Sequence, residues 1–190
     1  MARNPERRTA LTDAAIEVLA HEGARGLTFR AVDARAGVPV GTSSNYFSSR
    51  DDLFMQAGAR INNRMAPDPA AVEEALRHPP SRELVTSLMH WLVQRMTADR
   101  TGYLAMLELR LEATRRPALR AQLTQTVRAE FDAGADFHRN TGLPGDHDTF
   151  RVLYLAMTGV LLEHFTLPGV LTETALDELV ESVVTQIVPR

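Results

Sequence analysis

Apolar residues recur along most of this chain at three- and four-residue intervals, the period of a helix buried on one face. Leu11, Ala15, Val18 and Leu19 form one such stripe and predict a first helix over about 9–21. Gly23 ends it, since glycine takes the left-handed backbone conformation at little cost. Val32 and Ala36 predict a second helix over about 29–36, with Thr28 placed to cap it through its hydroxyl. Gly37 makes the reversal that follows, a place where closely packed helices leave no room for a Cβ. Val38 is suited to pin the turn to the core, and Pro39 is tolerated where a new helix opens. A short third helix is predicted over about 40–47, small and polar at its start and closed by Tyr46 and the inward-facing Phe47. Ser49 then caps a fourth helix running to Met65, with Asp52 in the second position of a capping box.

Residues 66–82 hold four of the ten prolines and read as a connector. Beyond it the pattern stays helical, with segments predicted over about 82–98, 102–114, 117–139, 148–165 and 172–188 and a loop at 140–146. No strand-like alternation interrupts them, so the fold class is all-α. The last two segments are the most apolar. One carries Phe150, Leu153, Tyr154, Met157, Leu161 and Phe165 along a face; the other carries Leu176, Leu179, Val180, Val183, Val184 and Ile187. Such a pair is either plain core or half of a four-helix seam with a second copy.

Composition narrows the function classes. A hydrophobic share of 44% and a charged share of 24% suit a soluble globular protein. No apolar run approaches the ~20 residues needed to cross a bilayer. The N-terminal residues are basic without an apolar run behind them, so no signal peptide is expected, and there is no cysteine. A cytoplasmic protein with no membrane association is the expectation. The net charge is −3, unevenly spread. Residues 1–64 carry nine arginines against seven acids, while residues 65–190 carry twelve against seventeen. The first third is therefore the part a polyanion would approach. Arg3, Arg7 and Arg8 are either a solvated terminus or a basic arm along a nucleic-acid backbone. Arg50 stands at a helix start, where the dipole disfavours a cation, so an anionic partner is expected: Asp51, Asp52 or a phosphate.

Catalytic chemistry finds little support. The six histidines form no His-Glu-x-x-His or Glu-x-x-His pair, and no phosphate-binding glycine loop or serine-nucleophile motif occurs. Glu108 and Glu112 are a helix turn apart, but a solvated stripe beside Arg110 and Arg115 explains them better than paired catalysis. No catalytic residue, metal site or cofactor is assigned. Met89, Trp91, Met96, Tyr103, Met106, Phe137 and Met157 are either core or the lining of a cavity.

Residues 9–64 resemble the DNA-binding domain of TetR-family transcriptional regulators. The resemblance lies in Ala14-Ala15, Gly23, Leu27-Thr28, Val32, Ala36-Gly37-Val38, Gly41-Thr42, Tyr46-Phe47 and Ser49-Arg50-Asp51-Asp52-Leu53. It implies a helix-turn-helix over residues 1–50 and an effector-binding and dimerisation domain over 51–190. By the resemblance, Thr42, Ser43 and Asn45 face base edges, with Gly41 allowing close approach and Val40 beside it. Thr28, Tyr46 and Arg50 hold phosphates, with Arg30 nearby. It also implies an effector pocket drawing on Met89, His90, Trp91, Tyr103 and Met106, and on Glu108, Phe137, His138 and Met157. The implied dimer seam, with both faces of this helix pair in use, takes in Phe150, Leu153, Tyr154, Leu161 and Leu176, with Leu179, Val180, Val183 and Val184. The whole would be a homodimeric, ligand-responsive repressor on a palindromic operator; a helical-bundle enzyme, or a small-molecule-binding protein without a DNA role, is the alternative. Two residues depart from the family pattern: Asp33 stands where Ala is usual, and Ser44 where an aromatic is common. Asp33 is expected either to pair with Arg30 or Arg35 or to be exposed.

Overall fold

The computed structural model describes residues 4–171 and 175–190. Among these residues there is no strand, and nine α-helices and one short 3-10 turn account for the regular structure. They form two compact bodies that do not follow chain order. The first comprises residues through Ala66 together with Asp99–Val127; the second comprises Pro67–Ala98 and Arg128–Arg190.

The first body is built on α1 (Pro5–Gly26), with α2 (Phe29–Arg35), the 3-10 turn Ser43–Asn45 and α3 (Arg50–Met65) following. Helix α6 (Arg100–Ala113) and the first part of α7 (Pro117–Asn140) complete it. Helix α1 is longer than its apolar stripe predicts because Asn4 caps it, its side chain accepting from the amides of Glu6 and Arg7. Gly23 breaks the helical geometry as expected, at φ 70 and ψ −179. The fully buried Leu11, Ile16, Leu19, Leu27, Val32, Leu53, Phe54 and Ile61 share one core with Ala105, Leu109 and Leu119. Helices α1 and α3 thus pack on α6, and α2 packs on α1, so the reading portion and two later segments have a common interior.

Side chains from α3 stitch this body at its surface. Arg60 makes a two-pronged bond to Asp13, at 2.9 and 3.1 Å. Arg116 reaches both Asp51 and Glu112 at 2.5 Å. The Phe54 ring lies between two guanidinium groups, with Arg50 5.2 Å and Arg116 5.1 Å from its centroid, an arrangement in which the ring faces attract both cations.

The second body contains α4 (Pro69–Ala75), α5 (Arg82–Ala98), the end of α7, α8 (His147–Thr166) and α9 (Leu176–Ile187). Its interior holds Val85, Val93, Met96, Leu153, Met157, Leu161, Phe165, Val180 and Val184. Phe131 of α7 meets Phe150 and Tyr154 of α8 at 5.3 and 5.2 Å, the Tyr154 contact edge-on as ring quadrupoles favour. Asp146 and Thr149 form a reciprocal capping box that starts α8. The proposed beginning of the last helix at Thr172 lies outside the described residues, as does Arg3.

Candidate nucleic-acid interface

The predicted third helix is not an α-helix. Residues 40–42 are a turn, and only Ser43–Asn45 coil, as one 3-10 turn. Four small polar residues in a row cannot hold a helix by packing, because propensity alone does not stabilise a segment this short. What holds it is Asp33. This carboxylate is fully buried on α2. It accepts from the Gly41 amide at 2.7 Å, the Ser43 amide at 2.7 Å and the Ser43 hydroxyl at 2.5 Å. Neither expected reading of Asp33 holds: it pairs with no arginine and it is not exposed. It is the N-terminal cap of the 3-10 turn, supplied from another helix rather than from the preceding residue. Gly37, at φ +64, lets the chain double back far enough for this contact.

Asp33 also corrects the role of Ser43. Its side chain is fully buried and bonded to Asp33, so it cannot face a base edge. The outer face of the turn belongs to Val40, Gly41, Thr42, Ser44 and Asn45. Val40 stands out from it, 78% exposed. The Thr42 hydroxyl donates to the Pro39 carbonyl at 2.5 Å. Ser44 and Asn45 both donate to the Gly41 carbonyl, at 2.8 and 3.2 Å. The Thr42 and Ser44 hydroxyls keep acceptor lone pairs, and Asn45 keeps its carbonyl oxygen as an acceptor and a second N–H as a donor.

Around this turn the expected phosphate contacts divide. Thr28 caps α2 as predicted, its hydroxyl accepting from the Ala31 amide at 3.1 Å, and it is exposed. Arg30 is exposed on α2. Tyr46 is partly buried and packs against the first core. Arg50 is already engaged: its Nε donates to the Leu27 carbonyl at 2.7 Å and an Nη donates to the Ala24 carbonyl. Its partners within the chain are therefore the carbonyl end of α1 rather than Asp51 or Asp52. Arg8 is likewise neither a solvated nor a free basic residue. It donates to Gln56 at 2.6 Å and to the Tyr46 carbonyl at 2.8 Å, and lies over the Phe47 ring. The reciprocal half of the Ser49 cap is shifted by one residue. Ser49 accepts from the Asp52 amide, but Asp52 accepts from Ser48. Burial works against the Asp52 carboxylate, yet bonds from Gln56 and Ser48 hold its pKa below the usual value.

An open depression of about 730 Å3 flanks α2, lined by Glu22, Thr28, Arg30, Ala31 and Arg35 among others. Arg35 lies 3.9 Å from Glu22 and 4.0 Å from Glu17 across its exposed rim.

The residues expected to line an effector pocket fall in different bodies. Tyr103, Met106 and Glu108 belong to the first; Met89, His90, Trp91, Phe137, His138 and Met157 belong to the second. Met106 packs against the first core, and Met157 is buried in the second. His90 faces Asp177 at 3.2 Å. His138 is buried, with Nε2 at 3.0 Å from the Pro144 carbonyl and its ring 5.8 Å from that of Phe150. Burial pushes the His138 pKa down, partly offset by the Pro144 carbonyl and the charge of Asp146. Glu108 is not a loose pocket group, because its carboxylate accepts from the Ala24 amide at 3.1 Å.

The expected dimer residues divide by burial. Leu153, Leu161, Val180 and Val184 are buried within the second body, and Phe150 and Tyr154 join its aromatic cluster. Leu176, Leu179 and Val183 are half-buried. Helix α8 is apolar on two faces, and the chain buries one of them against itself. Its outer face carries Val152, Leu155 and Leu162, exposed by 47%, 61% and 41%. Gly159 lies between them, with open space where a Cβ would stand.

Among the described residues no group of three acidic or histidine side chains is arranged to hold a metal ion. No described helix is long and apolar enough to cross a membrane.

Comparisons with known proteins bear on this geometry. A family model described as bacterial regulatory proteins, tetR family, matches residues 11–57. Another, described as tetracyclin repressor-like, C-terminal domain, matches residues 80–190. The HTH-type transcriptional regulator BetI of Agrobacterium fabrum is 29% identical over 86 residues, 45% of this chain and 41% of that protein. BetI of Rhizobium meliloti is 31% identical over 85 residues. The match thus spans about two fifths of these relatives' length. Similarity to solved structures extends over nearly the whole chain. The multidrug binding protein EbrR, crystallised with imidazole, is 32% identical with a TM-score of 0.69, covering 98% of this chain and 97% of that one. A TetR-family member from Streptomyces coelicolor is 29% identical with a TM-score of 0.71, covering 98% and 100%.

Proposed function

The chain belongs to the TetR family of bacterial regulatory proteins, DNA-binding transcriptional regulators rather than enzymes; on that premise we propose that it is a ligand-responsive repressor binding a palindromic operator as a homodimer. Members of the family bind DNA and small-molecule effectors, generally as dimers.

The observation that carries the reading is the turn held by Asp33. A buried carboxylate with three bonds fixes residues 41–43, so the short polar face outside it is presented in one geometry. Reading base edges in the major groove needs donors and acceptors that are rigidly placed and not screened by bulky neighbours. In this reading Thr42, Ser44 and Asn45 contact base edges, and Val40 meets the methyl group of a thymine. Thr28, Arg30 and Tyr46 hold the backbone, while Arg50 acts inside the protein. Residues 1–50 remain the reading portion, and 51–190 the part that pairs and responds.

The partner copy is proposed to seat on Val152, Leu155, Gly159 and Leu162. These positions are spaced three, four and three residues apart, the seam spacing of helices packed at a shallow angle. A twofold arrangement then requires two half-sites in palindromic relation, one helical turn or more apart. The effector would be a small molecule. Structures of EbrR hold imidazole, ethidium and malachite green. An effector changes operator affinity only if it binds one conformer better than another. A cytoplasmic location accords with a DNA target.

Selection of random DNA duplexes on the purified protein tests this. Enrichment of a palindrome is expected; recovery of duplexes with no common sequence would reject the reading.

A further inference from the structure

We infer that Glu108 is a positioning residue for DNA reading: from α6 it holds the amide end of the single turn through which α1 leads into α2. The inference rests on the DNA-binding reading above. Gly23 leaves the helical conformation at φ 70, and the chain then makes one last turn, closed by a bond from the Leu27 amide to the Ala24 carbonyl at 3.4 Å. Thr28 and α2 follow at once, so this turn sets the direction in which α2 and the 3-10 turn beyond it depart.

One isolated turn leaves its end groups without helical partners. Ala24 and Leu27 are buried, 7% and 0% exposed, so solvent is a poor substitute. Side chains of two other helices take over. At the amide end, Glu108 Oε2 of α6 accepts from Ala24 at 3.1 Å. At the carbonyl end, Arg50 of α3 donates to Ala24 and to Leu27. An anion at the amide end and a cation at the carbonyl end both oppose the dipole of the turn, so the two bonds reinforce each other.

The fit around Gly23 is close on the same side. A Cβ there would stand 3.2 Å from Glu108 Oε2, so the carboxylate occupies the space a side chain would need. Glu112, four residues further on, differs. Its carboxylate pairs with Arg116 at 2.5 Å and Arg115 at 3.7 Å. Glu108 forms no ion pair among the described residues, and its hydrogen-bond partner is a neutral amide. Helix α6 therefore bears on the reading portion through one directional bond as well as through apolar contact. Any shift of α6 along its axis moves or releases the amide end of the turn.

The test uses the full chain and the duplex selected by the wild-type protein. Glu108→Ala is expected to raise the Kd for that duplex about tenfold, the scale of one charge-assisted hydrogen bond. The Ala24 amide is expected to lose its hydrogen-exchange protection in the same variant. Glu108→Gln keeps an acceptor and should restore both to within about threefold of wild type. If Glu108→Ala does not fold, Glu108→Asp, which withdraws the carboxylate by one methylene, should show the same two losses. Wild-type affinity in the folded truncated variant, unchanged protection at Ala24, or failure of Gln to rescue would each overturn the inference. Failure of the DNA-binding reading would appear separately, as no enriched sequence with the wild-type protein.

Discussion

The two bodies of this protein keep order by different means. In the first, an apolar core is supplemented by polar side chains bonded to the backbone of other segments: Asp33 to Gly41 and Ser43, Arg50 to Ala24 and Leu27, Glu108 to Ala24, Arg8 to Tyr46. In the second, apolar and aromatic packing dominates, as in the cluster of Phe131, Phe150 and Tyr154. Among the described residues the buried Nε atoms of Arg82 and Arg95 there have no hydrogen-bond partner, against one such atom, Asp99 Oδ2, in the first body. Hydrogen bonds are directional and leave one geometry; apolar contact is not and tolerates repacking. A part that must match base edges benefits from the first, and a part that must accommodate a ligand from the second.

Removing a polar group should therefore have opposite effects in the two bodies. The largest change is expected for Asp33→Ala. It strands the Ser43 amide and hydroxyl, both buried, and removes the partner of the less buried Gly41 amide; the two buried groups alone should cost about 2–6 kcal/mol at ~1–3 each. Chemical unfolding would measure the loss, and binding to the selected duplex should fall by more than the loss of folded protein explains. A variant that loses stability but binds normally would end the claim that Asp33 shapes the reading surface.

Next in size is the outer face of α8. Leu155→Asp puts a charge on the proposed seam and should raise the dimer dissociation constant by about tenfold or more, equivalent to ~1.4 kcal/mol. Sedimentation at graded concentrations would show it. The control Leu153→Ala lies inside the body and should lower stability while leaving association largely intact.

Arg95→Met is expected to raise the unfolding temperature, by an amount corresponding to about 1 kcal/mol. It removes a partly buried guanidinium whose pKa burial lowers and whose Nε has no partner, and keeps most of the apolar stem. A fall instead would mean that this charge does contribute to the second body, and the contrast between the bodies would weaken.

The smallest effect concerns His138. Its folded pKa lies below the ordinary 6.5, so on acidification the unfolded chain takes up the proton first. Stability from this residue is fully present above about pH 6.5 and should decline as pH falls from there towards the folded pKa. Thermal unfolding between pH 7.5 and about 5 should show a decline that His138→Gln reduces. Identical profiles for the two proteins would exclude His138 as its source.

Much of the helical frame is legible in the residues alone. The caps at Thr28 and Ser49, the breaks at Gly23 and Gly37 and the inward Phe47 depend on contacts within a few positions, and local chemistry predicts them. The family likeness in residues 9–64 rests on the same local pattern. What escaped was every assignment requiring a distant partner. Asp33 reaches a segment ten residues on, Arg50 one that lies 26 residues back, and Glu108 an amide 84 residues back. A charged residue in isolation suggests a charged partner, yet all three are bonded to backbone, which every residue possesses and no pattern marks.

The choice of face on α8 depends on distant contacts in the same way. Helix α8 has apolar residues on two sides, and period alone cannot say which side the protomer covers. The sequence by itself determined that this chain is helical, where several of its caps and breaks fall, and that a small polar segment follows Gly37. Only the tertiary structure decided that the turn is held by a buried carboxylate, that Ser43 faces inward, and that Val152, Leu155 and Leu162 are the side of α8 left open. Helix periodicity and capping are properties of neighbours along the chain, whereas burial depends on which surfaces meet when distant segments pack.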